Sequence, residues 1–374
     1  MGIEIDLLKV GDASKSGDAI TVRFGKLDGN RDEQTVLVID TGFAATGTEI
    51  VDHVKKHYGT DYIDLLVCTH PDLDHAGGLE TVIQDLTPKE IWMHLPWEHS
   101  ADIRNLFHDG RITDASLDRR VREAYDHIHD AYALSLELEI PVTEPFSDGA
   151  EVLPHRENGL YVLGPTKAAY QALLPDFRGT PKAKEKARLQ ALTDSVRAFF
   201  ASASAAVSKA FENWGIETLK DPGSSATAAE NNSSAILLLI VDDKQYLFAG
   251  DAGVEGLQTA LDCASDLGID LKDSVFLKVP HHGSKHNVGP TVLNQLIGEP
   301  LPNQPTNHKM TCVITSTAGD EGHPAQKVVN ALLRRGAFVT STEDGNKLHH
   351  AGCPMRQGWS PIGTMVLHSE VEDD

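Results

Sequence analysis

The sequence predicts an α/β fold, and two observations lead to that prediction. Short apolar segments, such as residues 34–39 and 236–241, end in turns that contain Asp or Gly, and segments with helical periodicity follow several of them. Polar side chains cluster directly after apolar segments, as in residues 69–78. Open α/β sheets place their functional sites at the carboxyl ends of strands, so the pattern favours a sheet with a site along one edge.

The first seventy residues supply the elements that lead to this edge. Strands are predicted at residues 3–10, 18–24 and 34–39, and a helix is predicted at residues 48–58. Strands this short, joined by Gly and Asp turns, indicate a mixed sheet and not one half of a Rossmann dinucleotide-binding fold. A further buried strand at residues 63–68 leads directly into the sequence T-H-P-D-L-D-H-A-G-G.

That loop carries four potential metal ligands within six residues, namely His70, Asp72, Asp74 and His75. Two imidazoles and two carboxylates form a ligand set that suits Zn²⁺, Mn²⁺ or Fe²⁺. The Gly77-Gly78 pair lets the backbone turn tightly and approach its neighbours closely as a helix begins. A divalent metal site is therefore expected between this strand and this helix.

After Pro96 the character of the sequence changes. Residues 98–139 are charged and helix-forming, and a second helical block is predicted at residues 182–211. We interpret 98–139 and 166–230 as helical insertions into a single α/β domain that spans residues 1–374. Insertions of this kind either cover a site or bind a protein partner, and the sequence leaves both alternatives open.

The second half of the chain brings further ligands to strand ends. One predicted strand leads into Gly250-Asp251, and the next leads into Pro280-His281-His282-Gly283-Ser284. Together with the first loop, these groups suffice for two divalent metal ions roughly 3.5–4 Å apart, bridged by Asp251 and a hydroxide. Zinc and manganese are the expected metals, and at least one of His281 and His282 is expected to be a ligand.

Three polar groups beside these ligands are candidates for acid and base chemistry. His323 follows another apolar strand in Gly322-His323-Pro324, and Ser284 follows the histidine pair. His323, Ser284 and whichever of the paired histidines binds no metal could donate to the developing oxyanion or protonate the leaving group. Histidines outside these motifs, such as His94 and His99, are expected to be ordinary surface or interface residues.

Composition restricts the substrate and the compartment. The formal net charge of −22 repels nucleic acid at long range, so a phosphate-bearing substrate must be held by local cations, metal ions or a basic groove. The four cysteines form no C-x-x-C pair, which indicates a reducing compartment. No apolar run approaches the roughly 20 residues that a bilayer span needs, and no signal-peptide core is present, so we expect a soluble, cytoplasmic protein without a membrane partner.

The order D-T-G, T-H-x-D-x-D-H-x-G-G, G-D and K-V-P-H-H-G-S resembles the metallo-β-lactamase superfamily. The common loop of that superfamily is H-x-H-x-D-H. Asp72 replaces the middle histidine, and in this the chain is similar to the branch that contains the soluble domain of the competence DNA-uptake protein ComEC. The resemblance covers residues 3–95 and 228–345 and implies a four-layer αββα sandwich with the metals at one edge.

The resemblance also implies which residues bind each metal. Carried over by position, His70 and Asp72 would bind the first metal, Asp74 and His75 the second, and Asp251 both. His282 is favoured over His281 as a further ligand. Asn232 or Ser233 stands where a third ligand of the first metal is expected, and either could contact that metal or the substrate.

The function that the resemblance implies is that of a metal-dependent hydrolase using a metal-bridging hydroxide. The leading hypothesis is a phosphodiesterase or nuclease that acts on DNA or RNA, with Asp74 needed for metal binding and activity. One alternative is a hydrolase of a small phosphodiester, ester or lactone, which needs no extended basic groove. Another is a partner-regulated component whose insertions bind a protein and whose metal site is silent until assembly.

Overall fold

The computed structural model describes residues 1–11, 14–104, 112–148, 153–155, 158–178, 180, 209–223 and 225–373. Within these residues the chain forms two seven-stranded mixed sheets that pack face to face, with helices on both outer faces. The predicted α/β fold is therefore confirmed, and its layers follow the αββα order.

The strands, numbered in chain order, have the following bounds: β1 Gly2–Leu7, β2 Ala19–Gly25, β3 Gln34–Thr41, β4 Leu65–Val67, β5 Ile91–Trp92, β6 Val142–Thr143, β7 Leu153–His155, β8 Asn158–Gly164, β9 Lys209–Phe211, β10 Ile236–Val241, β11 Lys244–Phe248, β12 Ser274–Lys278, β13 Met310–Ile314, β14 Ala337–Ser341, β15 Lys347–Ala351 and β16 Glu370–Glu372. Among the described residues, the first sheet has the order β15-β1-β2-β3-β4-β5-β6 and the second β14-β13-β12-β11-β10-β8-β7, while β16 and β9 form a separate pair.

The α-helices of the described residues are α1 Ala44–His53, α2 Leu73–Ala76, α3 Leu79–Leu86, α4 Ser100–Ile103, α5 Asp114–Ala124, α6 Asp126–Glu137, α7 Lys167–Leu173, α8 Ala229–Asn232, α9 Val254–Asp266, α10 Pro290–Leu296 and α11 Gln326–Arg334. In the part of the chain that the structure describes, every helix is too short or too polar to cross a membrane.

Side-chain alternation along the central strands produces the layers. In β3, Leu37 and Ile39 enter the core between the two sheets, whereas Val36 and Val38 pack against the helices outside the first sheet. In β10, Leu237 enters the same inter-sheet core, whereas its neighbour Leu238 packs against the helices outside the second sheet. Successive side chains of a strand point to opposite faces, so a continuous apolar run is what a strand buried on both faces requires.

The carboxyl ends of parallel strands from both sheets meet at one edge of the sandwich. Strands β3, β4 and β5 are parallel in the first sheet, and β11, β12 and β13 are parallel in the second. The backbone N–H of Ala235 donates to the carbonyl of Thr69 at 2.9 Å, which joins the two sheets at this edge. The predicted loops that follow β4, β11 and β12 therefore lie close together.

Two element predictions were wrong in their bounds or type. The first helix begins at Ala44, not at residue 48, and a π-helical turn, Val54–Tyr58, continues it. Residues 182–208 of the second predicted helical block lie outside the described residues. Its last three residues form β9, because they pair with β16 in an antiparallel ladder that local helix propensity does not reveal.

His94 and His99 were expected to be ordinary surface or interface residues, but both are buried within the chain. His94 is 5% exposed, and its ring stacks on Tyr170 of α7 with ring centroids 4.4 Å apart. Phe146 packs beside it at 4.8 Å, and neither ring nitrogen of His94 has a hydrogen-bond partner among the described residues. Burial therefore lowers the pKa of His94 to about 3.

This buried histidine predicts a loss of stability in acid. The folded-state pKa of His94 lies below the unfolded value of about 6.5, so its stabilising effect is complete above pH 6.5 and is lost as the pH falls toward 3. From pH 7 to pH 5, urea unfolding should show that the wild type loses about 2 kcal/mol more than the variant His94→Phe. The exposed control His308→Phe should behave as the wild type does, and an equal loss in His94→Phe would contradict the assignment.

Candidate metal centre

The loop after β4 places its polar side chains through a short helix. Asp72 precedes α2, which carries Asp74 and His75, and the chain then turns at Gly77 and Gly78. A side chain at Gly78 would bring its Cβ within 2.6 Å of the Thr41 carbonyl oxygen, so only glycine fits. This confirms the close backbone approach that the glycine pair predicted.

Three imidazole nitrogens converge on one carboxylate oxygen. The Nε2 atoms of His75, His282 and His70 lie 3.3, 3.8 and 4.0 Å from Oδ2 of Asp251. All four side chains are buried, and within the described part of the chain none of the three nitrogens has a hydrogen-bond partner. Buried polar atoms are normally paired, so unpaired nitrogens aimed at one point fit a site for a divalent metal ion.

Hydrogen bonds at the opposite ring nitrogens fix two of these imidazoles. Nδ1 of His75 lies 2.8 Å from the Asp40 carboxylate, and Nδ1 of His282 lies 2.8 Å from the carbonyl oxygen of Thr315. A carbonyl oxygen only accepts, so Nδ1 of His282 donates. Outer partners of this kind orient metal-binding histidines and leave Nε2 directed at the site.

Asp251 offers one oxygen to this cluster. Its Oδ1 accepts from the backbone N–H of His281 at 3.1 Å and lies 3.5 Å from Nζ of Lys278, whereas Oδ2 faces the imidazoles. The sequence suggested that Asp251 could present one oxygen to each of two metals. The structure instead directs Oδ2 alone toward the histidines, because the backbone and the lysine engage Oδ1.

The electrostatics of the cluster are dominated by buried carboxylates. Burial raises the pKa of Asp251, but the charges of His75, His281, His282 and Lys278 outweigh it and hold the pKa well below the usual range. Burial lowers the pKa of His282, but the neighbouring aspartates raise it to about 9. The buried carboxylates are therefore stabilised by positive charge. Either protonated histidines or divalent ions can supply that positive charge.

Sequence reasoning assigned no site role to Asp18, Asp40 or Lys278. Asp18 is buried, pairs with the buried Lys278 ammonium, and lies 3.4 Å from Nδ1 of His282. Asp40 stands in the D-T-G motif and Lys278 in K-V-P-H-H-G-S, so both residues belong to motifs on which the family resemblance rests. A charged residue at the end of an apolar strand was the available signal.

The two other carboxylates of the loop differ in position. Oδ2 of Asp74 lies 3.6 Å from Nε2 of His282, within the cluster. Asp72 instead pairs with Arg178. Neither Asp72 nor Asp74 belongs to the two groups of convergent ligand atoms in the described chain, which are Asp18–His75–His282 and His70–His75–Asp251. Burial raises the pKa of Asp72 to about 6, with Arg178 acting in the opposite direction.

The histidine pair adopts a backbone conformation that is rare for these residues. His281 and His282 have φ angles of 45° and 52°, in the left-handed region. Such strained residues persist only where the surrounding structure holds them, and they occur often at functional sites. The turn directs His282 inward, whereas His281 stays partly exposed with Nε2 3.9 Å from Oδ2 of Asp251.

His323 lies beside this pair, and Ser284 is engaged locally. The rings of His281 and His323 stack with centroids 5.3 Å apart, and Nδ1 of His323 lies 3.2 Å from Asp320. Ser284 Oγ accepts from the backbone N–H of His286 at 3.2 Å. The structure therefore brings His323 to the rim of the cluster and uses Ser284 in the turn that follows.

The structure places Asn231, and not Asn232 or Ser233, beside the cluster. Asn232 Oδ1 accepts from the backbone of Gly253, and Ser233 Oγ donates to the carbonyl of Glu230, so both are engaged with backbone. Nδ2 of Asn231 lies 3.1 Å from Nδ1 of His281. Side chains of successive helical residues point about 100° apart, and the helical turn α8 therefore exposes a single one of these positions to the site.

We predict that Asp40→Asn weakens metal binding about 10- to 100-fold, because it removes the negative charge that orients His75. Asparagine tolerates the positive φ of 57° at this position, so the backbone should be preserved. Competition with a chromophoric chelator measures the dissociation constant for Zn²⁺. The exposed residue Asp52 on α1 gives the control Asp52→Asn, and equal affinity in the two variants would show that the Asp40 charge does not support the site.

Comparison with known families gives one match over most of the chain. The family described as the metallo-beta-lactamase superfamily matches residues 30–295. No protein of curated function matches the sequence.

Three different proteins are among the solved structures that match this chain. A HARLDQ-motif mutant metallo-beta-lactamase from Cronobacter sakazakii shares 16% identity over 42% of this chain and 50% of its own, with a TM-score of 0.24. A mutant of the CmlA beta-hydroxylase shares 12% sequence identity over 92% of this chain and 54% of its own, with a TM-score of 0.41. Unliganded yeast PDE1 shares 9% sequence identity over 92% of this chain and 99% of its own, also with a TM-score of 0.41. The chain spans about half the length of the first two.

Proposed function

Because the chain belongs to the metallo-beta-lactamase superfamily, whose members are mostly metal-dependent hydrolases, we propose that it is a dinuclear-metal-dependent phosphodiesterase. The observation that carries the hydrolytic part of this proposal is the set of three unpaired Nε2 atoms around Oδ2 of Asp251. The motif T-H-x-D-x-D-H-x-G-G, with its resemblance to the ComEC-type branch, supports a phosphodiester as the bond that is cleaved.

The described residues form two groups of convergent ligand atoms, Asp18–His75–His282 and His70–His75–Asp251, which share His75. With Asp251 as a shared ligand, His75, His282 and Asp74 would hold one divalent ion, and His70 with Asp72 would hold the other. Nitrogen and carboxylate ligands suit zinc or manganese. Bound there, such ions would polarise a phosphoryl oxygen and lower the pKa of coordinated water.

Two histidines at the rim are placed to move protons. His281 and His323 are partly exposed, and Asp320 orients the His323 ring through Nδ1. This leaves Nε2 of His323 directed away from Asp320, where it can donate a proton to a leaving group. Asn287 similarly orients His281, with its Oδ1 2.8 Å from Nδ1.

Two substrate sizes fit this proposal, and the charge of the chain distinguishes them. The resemblance to the DNA-uptake branch favours a nuclease. The net charge of −22 opposes unassisted binding of long nucleic acid and favours a small phosphodiester, which needs few contacts to phosphate. We therefore propose a small phosphodiester as the substrate and a nuclease as the second candidate.

The test is hydrolysis of bis-p-nitrophenyl phosphate and of labelled single- and double-stranded DNA, with added Mn²⁺ or Zn²⁺. We expect turnover of the small diester, and we expect Asp251→Asn to lower kcat/KM by about 100-fold or more, because the shared ligand loses its charge. Asp243→Asn makes the same change of charge at an exposed turn and should retain full activity.

The pattern of turnover decides among the candidates. Cleavage of DNA that Asp251→Asn abolishes would establish a nuclease instead of a small-diester hydrolase. Hydrolysis of an aryl ester or a lactone without hydrolysis of either phosphodiester would overturn the phosphodiesterase proposal. Two bound metals by elemental analysis without any turnover would point to a component that a protein partner activates.

A further inference from the structure

Arg178 is an exposed cation in direct contact with a candidate metal ligand. Its Nη2 donates to Oδ1 of Asp72, while its side chain remains 67% exposed. The residue follows α7, within a segment that the sequence assigned to a helical insertion. Arg178 therefore stands between the metal loop and solvent.

Glu230 anchors this arginine. One oxygen of Glu230 accepts from the backbone N–H of Arg178 at 2.8 Å and from its Nε at 2.9 Å. The same oxygen accepts from the hydroxyl of Tyr125 at 2.9 Å, and the Glu230 side chain is only 4% exposed. The guanidinium is thus held through Nε, and its Nη2 lies on the side of Asp72.

Among the residues that the structure describes, two other cations near the site, Lys278 and Lys285, have partners of their own. Lys278 is fully buried between Asp18 and Asp251. Lys285 follows the histidine pair in the sequence, but its Nζ lies 3.3 Å from the carbonyl oxygen of Asp373, in the C-terminal segment. Because the protein carries a net charge of −22, an anionic substrate must be held by metal ions or by local cations, and Arg178 is an exposed cation in the right place to add to the metals.

We propose that Arg178 forms an anion subsite that binds the phosphate group of substrate and product at the mouth of the metal centre. The inference rests on the proposed function and names the residue that would select a phosphate. A guanidinium presents N–H groups in a planar fork that matches phosphate oxygens. Asp72 gives up its pairing with Arg178 when it becomes a metal ligand, and the guanidinium then pairs with an anion.

The same contact gives Arg178 two opposite effects. The guanidinium competes with a metal ion for Asp72, so its removal should strengthen metal binding. It also provides the charge that binds phosphate, so its removal should weaken phosphate binding. A residue that only supported the fold would weaken both when it was removed, because both sites depend on the same loop.

The experiment measures two dissociation constants in the purified full chain. Phenylphosphonate, a phosphate analogue that is not hydrolysed, is titrated into the Zn²⁺-loaded protein by calorimetry, and Zn²⁺ is titrated into the metal-depleted protein against a chelator. For Arg178→Gln we expect phenylphosphonate to bind about 10- to 100-fold more weakly, because a charge-assisted contact is lost. We expect Zn²⁺ to bind several-fold more tightly at the site to which Asp72 would contribute.

Two further variants complete the design. Arg178→Lys keeps the charge without the fork and should recover part of the phosphonate affinity. Arg119→Gln removes an arginine of similar exposure on α5, 71% exposed, and should change neither constant.

Three outcomes are decisive. Phosphonate affinity that is unchanged in Arg178→Gln would overturn the subsite, even if phosphodiester hydrolysis is observed. Weaker binding of both ligands would also overturn it, since that result indicates a structural effect. Weaker phosphonate binding with tighter Zn²⁺ binding supports the subsite, and it does so whether or not bis-p-nitrophenyl phosphate is hydrolysed, so failure of the reaction and failure of the subsite remain distinguishable.

Discussion

The concentration of carboxylate charge at one buried edge is the constraint on which the rest of the structure depends. Asp18, Asp40 and Asp251 are each at most 2% exposed. Buried charges are tolerated only when partners compensate them. The Lys278 ammonium and the imidazoles supply part of this compensation, and the unpaired Nε2 atoms leave a position where a divalent cation can supply more. The fold therefore brings acids and bases together at a cost that hydrophobic packing on either side must offset.

The sequence predicted those features of the centre that local patterns encode. Candidate ligands that follow an apolar strand, such as His75 after β4 and Asp251 after β11, were recognisable because the strand and the candidate ligand are adjacent in sequence. The layered α/β fold was predictable for the same reason, since uninterrupted apolar runs such as residues 236–241 indicate strands buried on both faces.

Features that depend on contacts between distant residues were not predictable in this way. Arg178 and Asp72 are 106 positions apart, and no local pattern relates them. The choice of Asn231 over Asn232 depends on the phase of a single helical turn, which residue type alone does not determine. His94 is buried because residues of two later segments, Phe146 and Tyr170, cover it.

The insertion segments do more than extend the chain at the surface. His127 of α6 donates through Nε2 to the carbonyl oxygen of Pro71 at 2.7 Å, within the metal loop itself. Tyr125 meets Glu230 and thereby Arg178. Both segments thus contact the loop whose side chains form the centre. A substitution in either segment would therefore alter the positions of those side chains.

Each sheet contributes only half of the centre, and this has a thermodynamic consequence. Asp40, His70 and His75 come from the first sheet, whereas Asp251, Lys278 and His282 come from the second. A cation that binds both halves is linked to the docking of one sheet on the other, because the separated halves lack the complete ligand set. Such an ion would stabilise the docking of one sheet on the other. The free energy of this stabilisation would increase with the affinity of the ion for the complete ligand set.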